Sequence, residues 1–353
     1  MSFVGRRRLL GTAGALALLA GRPRFSRAAN DPPIADAHSH IGMFSQKLVA
    51  HPLRAQMEAA GVMLLSWNIV GDARWTMRTD QGIQQRSVPG NGEQAAFFRE
   101  KLRLMQAYLE RQGLRHVQVP ADIDAARAGT PHVVIAVEGA GFAADSMALV
   151  DEAWLGGLRH LQLVHYIRNA LGDFQTERPE HEGLTALGAD VVRACNRLGI
   201  LVDLAHATQP LIDKALEVST VAPIWSHSAI TRTVYSWTQS SARSRLLYIA
   251  YAKKIAERGG AVGLWSLRGT VHDSPEGYAT ELMRMVDAIG PGHVMFGTDL
   301  DGVGRFGTME GLGDLRRVAD VLHARGVDDK TLRAVCFENY ARCLQAALQA
   351  RQS

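Results

Sequence analysis

The amino-acid sequence predicts a single-domain α/β fold, a (β/α)8 barrel of the TIM type. Eight short apolar runs alternate with segments of helical period nearly to the end of the chain. Most of these runs are continuously apolar, as in parallel strands that helices cover on the outside. The alternation continues without an internal repeat or a composition shift that would mark a second domain. This combination favours one large barrel.

The predicted strands are the apolar runs, and the predicted helices lie between them. Strands are predicted at residues 34–37, 62–69, 132–137, 161–165, 200–204, 223–225, 260–265 and 293–296. Helices are predicted at residues 185–198, 210–218, 246–258 and 278–289. Gly199 and Gly259 follow two of these helices, at the position where glycine commonly ends a helix. Residues 71–92, rich in Gly, Gln, Arg and Thr, predict a long loop on the face that bears the site in such barrels.

The first 28 residues have the layout of an export signal. Arg6, Arg7 and Arg8 precede an apolar run, and Ser26-Arg27-Ala28 offers small residues where a signal peptidase reads the chain. The adjacent arginines resemble a twin-arginine leader. A membrane anchor is the alternative, but the run is too short for a bilayer core of about 30 Å. We therefore expect cleavage after Ala28 and export to a bacterial periplasm, with residues 29–353 as the folded domain.

Removal of this segment reverses the net charge of the chain. The formal charge of +4 includes six arginines before residue 29 and no acid there, so the remaining chain carries −2. A mildly acidic domain gives no indication of a nucleic-acid partner. After the leader, the sequence contains no apolar run of membrane-span length. Cys195, Cys336 and Cys343 show no paired spacing, so we expect buried free thiols.

Side chains that can bind metals fall at the ends of six predicted strands. In chain order they are His38 and His40, Glu138, His165, His206, His227 and Asp299. In a barrel the carboxyl ends of the strands meet at one face, so these side chains should surround one point. A single histidine at a strand end is unremarkable in a chain with 13 histidines. The joint pattern of histidines and carboxylates indicates a metal site.

Short motifs surround these residues in a characteristic order. They are His38-Ser39-His40, Val137-Glu138-Gly139, Asp203-Leu204-Ala205-His206, Ser226-His227-Ser228 and Gly297-Thr298-Asp299-Leu300-Asp301-Gly302. Further matches are residues 157–165, residues 183–199 and Glu338-Asn339-Tyr340. Together these motifs resemble the membrane (renal) dipeptidase family from about Asp36 to Arg342. Each motif is weak alone, and the shared order and spacing make the resemblance specific.

The resemblance implies two divalent metal ions, zinc in that family, which share Glu138. His206 and His227 match the histidines of the second metal, and His38 matches the histidine of the first. The family has His-x-Asp in its first strand, whereas this chain has His40 at the aspartate position. Imidazole suits zinc. The exchange nevertheless raises the charge of the first site by one unit, which should weaken metal retention or make the bridging water more acidic.

The resemblance also implies roles in catalysis and substrate binding. Asp299 matches the residue that takes the proton of the attacking water and passes it to the leaving amine. His165 matches the histidine that steadies the oxyanion, and we group it with Asn169 among the substrate-binding residues. The arginine that binds the substrate carboxylate matches Arg245, with Arg243 as a competitor two residues away.

These residues together predict an exported, zinc-dependent dipeptidase that hydrolyses the amide bond of dipeptides or similar small substrates. One alternative is another amidohydrolase-type activity, such as an N-acyl amino acid amidase or a lactonase. His40 and the altered neighbourhood of Arg245 favour it. A second alternative is a non-catalytic binding protein on the same barrel. The sequence leaves substrate preference and the oligomeric state open, a homodimer included.

Overall fold

The computed structural model describes residues 31–80, 82–269 and 274–351, and the predicted export signal at residues 1–28 lies outside them. The strands in these ranges are β1 (Ile34–Ser39), β2 (Val62–Val70), β3 (Thr76–Thr79), β4 (Gly82–Gln85), β5 (Arg115–His116), β6 (His132–Glu138), β7 (Leu158–Gln162), β8 (Leu201–Asp203), β9 (Trp225–Ser228), β10 (Ile230–Thr231), β11 (Leu247–Tyr248), β12 (Val262–Leu264) and β13 (Val294–Phe296).

Helices fill most of the connections between strands. They are α1 (Lys47–Ala50), α2 (Leu53–Ala60), α3 (Glu93–Arg111), α4 (Pro120–Arg127), α5 (Ala148–Leu155), α6 (Ala186–Leu198), α7 (Gln209–Val218), α8 (Ser241–Ser244), α9 (Ile249–Glu257), α10 (Pro275–Ile289), α11 (Gly313–Ala324), α12 (Asp329–Arg333) and α13 (Asn339–Gln349). The strand and helix order is that of a mixed α/β fold.

The eight predicted strands are all present, and they pair in parallel within two sheets. One sheet has the order β1-β2-β6-β7-β8, with β5 beside β6, and the other has the order β9-β12-β13. Backbone contacts link the two sheets: Leu204 N donates to Ile224 O at 2.8 Å, and His40 N donates to Leu300 O at 2.8 Å. The result is a curled parallel sheet whose carboxyl strand ends lie on one side.

The strands β7 and β9 differ most from their predicted bounds, and both contain buried polar side chains. β7 begins at Leu158, three residues before the predicted start, and β9 extends to Ser228. Arg159 is buried because its guanidinium donates to three backbone carbonyl oxygens. His160 is buried with its Nε2 atom 3.2 Å from Asp203 Oδ2. Paired polar groups therefore occupy core positions that an apolar pattern does not mark.

The helix boundaries follow local hydrogen bonds. The Thr185 hydroxyl accepts from Gly188 N and starts α6, which ends at Gly199 with φ +76°. Glycine adopts this left-handed conformation without steric cost. α9 begins at Ile249, three residues after the predicted start, because Leu247–Tyr248 pairs with β10 instead.

The predicted loop at residues 71–92 contains an antiparallel hairpin, β3–β4, rather than irregular chain alone. Thr76 pairs with Gln85, and Arg78 pairs with Ile83. The prediction missed it because the two strands have four residues each and are not apolar runs. The hairpin stands at the carboxyl end of β2, beside the site.

The interior buries the three cysteines as free thiols, as the sequence predicts. Burial raises the pKa of Cys195 and of Cys336 to about 12, so neither thiol ionises near neutral pH. In the described ranges, no helix has the length and apolar character needed to cross a membrane.

Candidate metal centre

Glu138, the last residue of β6, lies buried among imidazole rings at the carboxyl ends of the strands. Five histidine Nε2 atoms lie within 3.5 Å of its carboxylate, those of His38, His40, His165, His206 and His227. The structure therefore brings together the residues that the sequence predicted from five different strands.

The two oxygens of Glu138 face different histidines. Oε1 lies 3.3 Å from His206 Nε2 and 3.5 Å from His227 Nε2. Oε2 lies 3.1 Å from His40 Nε2 and 3.3 Å from His165 Nε2. His38 Nε2 also lies 3.5 Å from Oε1, so Oε1 faces three histidines and Oε2 faces two, and the carboxylate is in reach of both His38–His40 and His206–His227.

The histidine side chains also approach each other in pairs. His38 Nε2 lies 3.0 Å from His40 Nε2, and His206 Nε2 lies 3.1 Å from His227 Nε2. Ligand atoms about 2.0–2.1 Å from a tetrahedral zinc ion lie roughly 3.3 Å apart, so both pairs fit the edge of such a site. The donor set of imidazoles and a carboxylate also suits zinc. The residues present therefore fit a divalent ion.

The protonation states favour metal binding by the group that Glu138, His206 and His227 form. Burial lowers the pKa of His206 and of His227 well below the ordinary value, so these rings stay neutral and keep a lone pair. Burial acts to raise the pKa of Glu138, but His165 and His38 outweigh it and lower that pKa well below its ordinary value. Glu138, His206 and His227 thus form an ionised carboxylate beside two neutral imidazoles.

His40 takes the place of the family aspartate without loss of orientation. Its Nδ1 atom lies 2.8 Å from the backbone oxygen of Asn68, so Nδ1–H donates and Nε2 faces Glu138. Burial acts against a charge on His40, but Glu138 and Asp299 outweigh it and raise the pKa to about 9. The Asn68 side-chain amide also lies 2.9 Å from His38 Nδ1. Asn68, a central residue of β2, contacts both rings, and the sequence reasoning missed it.

Asp299 lies between the metal ligands and an arginine. Its Oδ1 is 3.5 Å from His40 Nε2, and its Oδ2 is 3.7 Å from Arg245 Nη2. Asp299, His38 and His40 form another group of donors close enough together to hold one ion. The residue has φ +53°, a strained conformation for a side chain other than glycine and one that clusters at functional sites. Gly302 packs against Asp299 Oδ1 so closely that any Cβ there would clash.

His165 is held by an acid that the sequence reasoning missed. Asp72, in the loop after β2, places Oδ1 2.6 Å from His165 Nδ1. Burial acts to lower the pKa of His165, but Asp72 and Glu138 outweigh it and raise that pKa. Nδ1–H therefore donates to Asp72 while Nε2 faces the centre. A lone aspartate in a long loop carries no periodic signal that could have identified it.

The structure distinguishes the two candidate arginines. Arg245 is buried, donates to Tyr166 Oη at 3.0 Å and stacks over the Trp265 ring at 4.6 Å. Arg243 is exposed on α8 and does not line the cavity beside the metal centre. Arg245 is thus the arginine that reaches the site.

Asn169 does not join the other predicted site residues. Its Oδ1 accepts from Leu171 N at 2.8 Å, and its Nδ2 lies 3.4 Å from Leu163 O. The side chain is thus engaged with its own loop, and Asn169 is not among the residues that line the cavity. The assignment of Asn169 to substrate binding stays a prediction, and in this structure its amide bonds local backbone groups.

A cavity of about 390 Å³ opens over the metal centre. This volume falls in the range of small-molecule sites. Its polar lining includes His40, Glu138, His165, Arg245 and Asp299, and its apolar walls include Phe44, Val70, Met77 and Ile83. The β3–β4 hairpin supplies one wall, so the long loop lies on the face that the sequence predicted.

A buried carboxylate among imidazoles, at the carboxyl ends of parallel strands, is the ligand set of a metallohydrolase. The family comparison specifies the class further. The model of the membrane dipeptidases, peptidase family M19, matches residues 24–353. The chain belongs to this family.

Similar proteins carry the same family description. Dipeptidase verJ of Clonostachys rogersoniana is 28% identical over 252 residues, or 69% of this chain and 62% of that protein. Dipeptidase 3 of Mus musculus is 29% identical over 233 residues, or 62% of this chain and 45% of that protein. The matched region thus spans roughly half of the length of these relatives.

Solved structures share the fold. A metallo peptidase from Rhodobacter sphaeroides, liganded with a phosphinate mimic of the dipeptide L-Ala-D-Ala, superposes with a TM-score of 0.72 at 21% identity. That match covers 90% of this chain and 99% of the other. The probable dipeptidase PvdM from Pseudomonas aeruginosa has a TM-score of 0.73 at 14% identity, covering 90% and 96% of the two chains.

Proposed function

We propose that this protein is a metal-dependent dipeptidase that holds two divalent ions, zinc by preference. The observation that carries the proposal is the placement of Glu138, whose carboxylate lies within 3.5 Å of both histidine pairs, His38–His40 and His206–His227. His206 and His227 would hold one ion with Glu138. His38 and His40 would hold the other, with Glu138 and Asp299 in reach. Bound metal would supply an acidified water and polarise the substrate carbonyl.

The side chains around the ions would move the protons. Asp299 would accept the proton of the attacking water and pass it to the leaving amine, as a general base and then a general acid. His165 would donate from Nε2 to the developing oxyanion, since Asp72 already accepts from Nδ1. The raised pKa of His165 favours the doubly protonated ring that this donation needs.

Arg245 would bind the carboxylate of the substrate. Its guanidinium is buried beside the centre, donates to Tyr166 Oη and lies 4.6 Å from the centre of the Trp265 ring. The planar fork of arginine can bind a carboxylate through two hydrogen bonds. The cavity is of a size suited to a dipeptide and has apolar walls. A free carboxylate close to the scissile bond would distinguish dipeptides from longer peptides.

We also propose that the two sheets form one closed (β/α)8 barrel and that the protein is exported. Parallel bridges between Asp203 and Ile224, and between Ser39 and Leu300, lie at the junctions of the sheets and support closure. The arginines before the apolar run near the N-terminus support export to the periplasm.

Metal analysis combined with a dipeptide panel tests the proposal. We expect about two zinc-class ions per chain, hydrolysis of dipeptides with L- or D-residues at the carboxyl end, and loss of turnover on chelation. Glu138→Gln should lose both ions and activity, whereas Asp301→Asn, at the cavity edge, should keep the metals. Full turnover by metal-free protein would contradict the proposal. Hydrolysis of N-acyl amino acids or lactones in place of dipeptides would favour the alternative amidohydrolase activity.

A further inference from the structure

The charges that line the cavity are unequally balanced. Glu138 and Asp299 belong to the metal centre, and Arg245 faces Asp299. The charge of Asp301, at the outer edge of the cavity, is neutralised by Lys47, whose Nζ donates to the carboxylate at 2.6 Å. A backbone amide also donates to this carboxylate. Among the residues that the structure describes, Arg78 of the β3–β4 hairpin is one further cationic side chain that lines the cavity.

Arg78 has no carboxylate within salt-bridge distance among the residues that the structure describes. By contrast, Arg168, on a neighbouring loop, has Glu177 and Glu180 within reach. The Arg78 guanidinium instead lies 5.8 Å from the centre of the Phe306 ring. Arg305 lies over the same ring at 5.0 Å but does not line the cavity.

The surroundings of Arg78 favour an anionic ligand. A guanidinium stacked on an aromatic ring keeps its N–H edge free for bidentate binding of a carboxylate. The neighbouring cavity residues Met77, Ile83 and Phe44 are apolar and provide no competing acceptor from their side chains. Since Arg245 is placed for one carboxylate, Arg78 is available for a second.

We propose that the cavity selects dipeptides with an acidic side chain and that Arg78 is the residue that binds this side chain. The inference rests on the proposed dipeptidase function and specifies its substrate class. Arg78 lies on the hairpin rather than on a strand end, so its contribution concerns specificity and leaves the metal chemistry unchanged. The attraction is partly exposed to solvent and should weaken with ionic strength.

Matched dipeptides test this inference. We would measure kcat/KM of the metal-loaded enzyme for Ala-Glu against Ala-Gln and for Glu-Ala against Gln-Ala, because Gln has the shape of Glu without its charge. We expect a preference of about fivefold or more for Glu in one of the two orders, typical of a charge-assisted contact at a partly exposed site. The preference should fall in 0.5 M salt, taken as about tenfold above a low-salt buffer.

The variants assign the preference to one side chain. Arg78→Gln should reduce the Glu/Gln ratio to about one, and Arg78→Lys should retain part of it because the charge remains but the planar fork is lost. Arg74→Gln is the matched control: Arg74 is exposed near the same hairpin but does not line the cavity, so the ratio should not change. Equal turnover of Glu and Gln peptides, or a preference that survives Arg78→Gln, overturns the inference. If other dipeptides of the panel are hydrolysed but none of these four is, the inference alone fails, whereas hydrolysis of no dipeptide contradicts the proposed function itself.

Discussion

Asp72 Oδ1 lies 2.6 Å from His165 Nδ1, and its other carboxylate oxygen accepts from Tyr166 N at 2.9 Å. One aspartate therefore fixes both the ring of His165 and the backbone that follows it. Gly139 makes room for this pair, since a Cβ there would lie 3.1 Å from His165 Cβ. Asp72 thus positions His165, the side chain that we propose to face the substrate oxyanion.

Asp72→Asn should lower kcat at least about tenfold, the scale of losses when an outer partner of a metal-site histidine is removed. Asp72 raises the pKa of His165. Without that carboxylate the pKa falls, so the alkaline limb of the pH–rate profile should move to lower pH if the protonated ring is required. Kinetics across pH, with metal content measured in parallel, check this. An unchanged alkaline limb, as expected for the control Asp301→Asn, would show that Asp72 has a structural role alone.

Asp299→Asn should reduce kcat by at least about 10²-fold, because the proton shuttle is lost. The donor group of Glu138, His206 and His227 does not include Asp299. We therefore expect the metal at this group to remain, which elemental analysis would establish. Retained turnover in a metal-loaded variant would assign the proton transfer to another residue.

His40→Asp should restore the family pattern and tighten the first metal site. A neutral imidazole brings no charge to a bound ion, whereas a carboxylate brings one negative charge. In the natural chain, the site at His38 and His40 should therefore lose its ion before the site at His206 and His227 during chelator titration. In the variant, the acid limb of the pH–rate profile should shift upward, because the water is harder to ionise. Metal content and pH profiles of both forms decide the matter. Superimposable results would show that His40 is not a ligand.

Arg245→Lys should raise KM for dipeptides about tenfold or more, because lysine lacks the planar fork that binds a carboxylate through two hydrogen bonds. Arg243→Lys is the matched control, since Arg243 is exposed and does not line the cavity. Steady-state kinetics of the two variants distinguish them. A larger effect of Arg243→Lys would reverse the assignment.

The sequence predicted the strands and most of the site for the same reason. Parallel strands buried on both faces appear as apolar runs, so their ends can be located, and their ends carry His38, Glu138, His206 and His227. The strand order then requires these side chains to converge, without knowledge of any loop. Asp299 follows the same logic, three residues after β13.

Contacts set by loops or by single polar residues could not be predicted in this way. Asp72 lies in a loop whose path depends on tertiary packing. Asn68 lies within a strand of mostly apolar residues, where a single amide gives no sign of a role in the site. The position of the Asn169 side chain also depends on its loop, because its amide bonds that loop. Backbone groups near a polar side chain compete with a distant substrate for its hydrogen bonds.

The β3–β4 hairpin separates the shape of the cavity wall from metal binding, two properties that many enzymes place on the same residues. Its strands pair with each other, and neither is part of the sheets that carry the metal-binding side chains. Substitutions in the hairpin can therefore reshape the wall of the cavity while the strand ends keep the distances among the imidazoles and Glu138. During evolution, the substrate specificity of this protein can therefore change while its metal centre is retained. We expect sequence divergence to accumulate first in the hairpin.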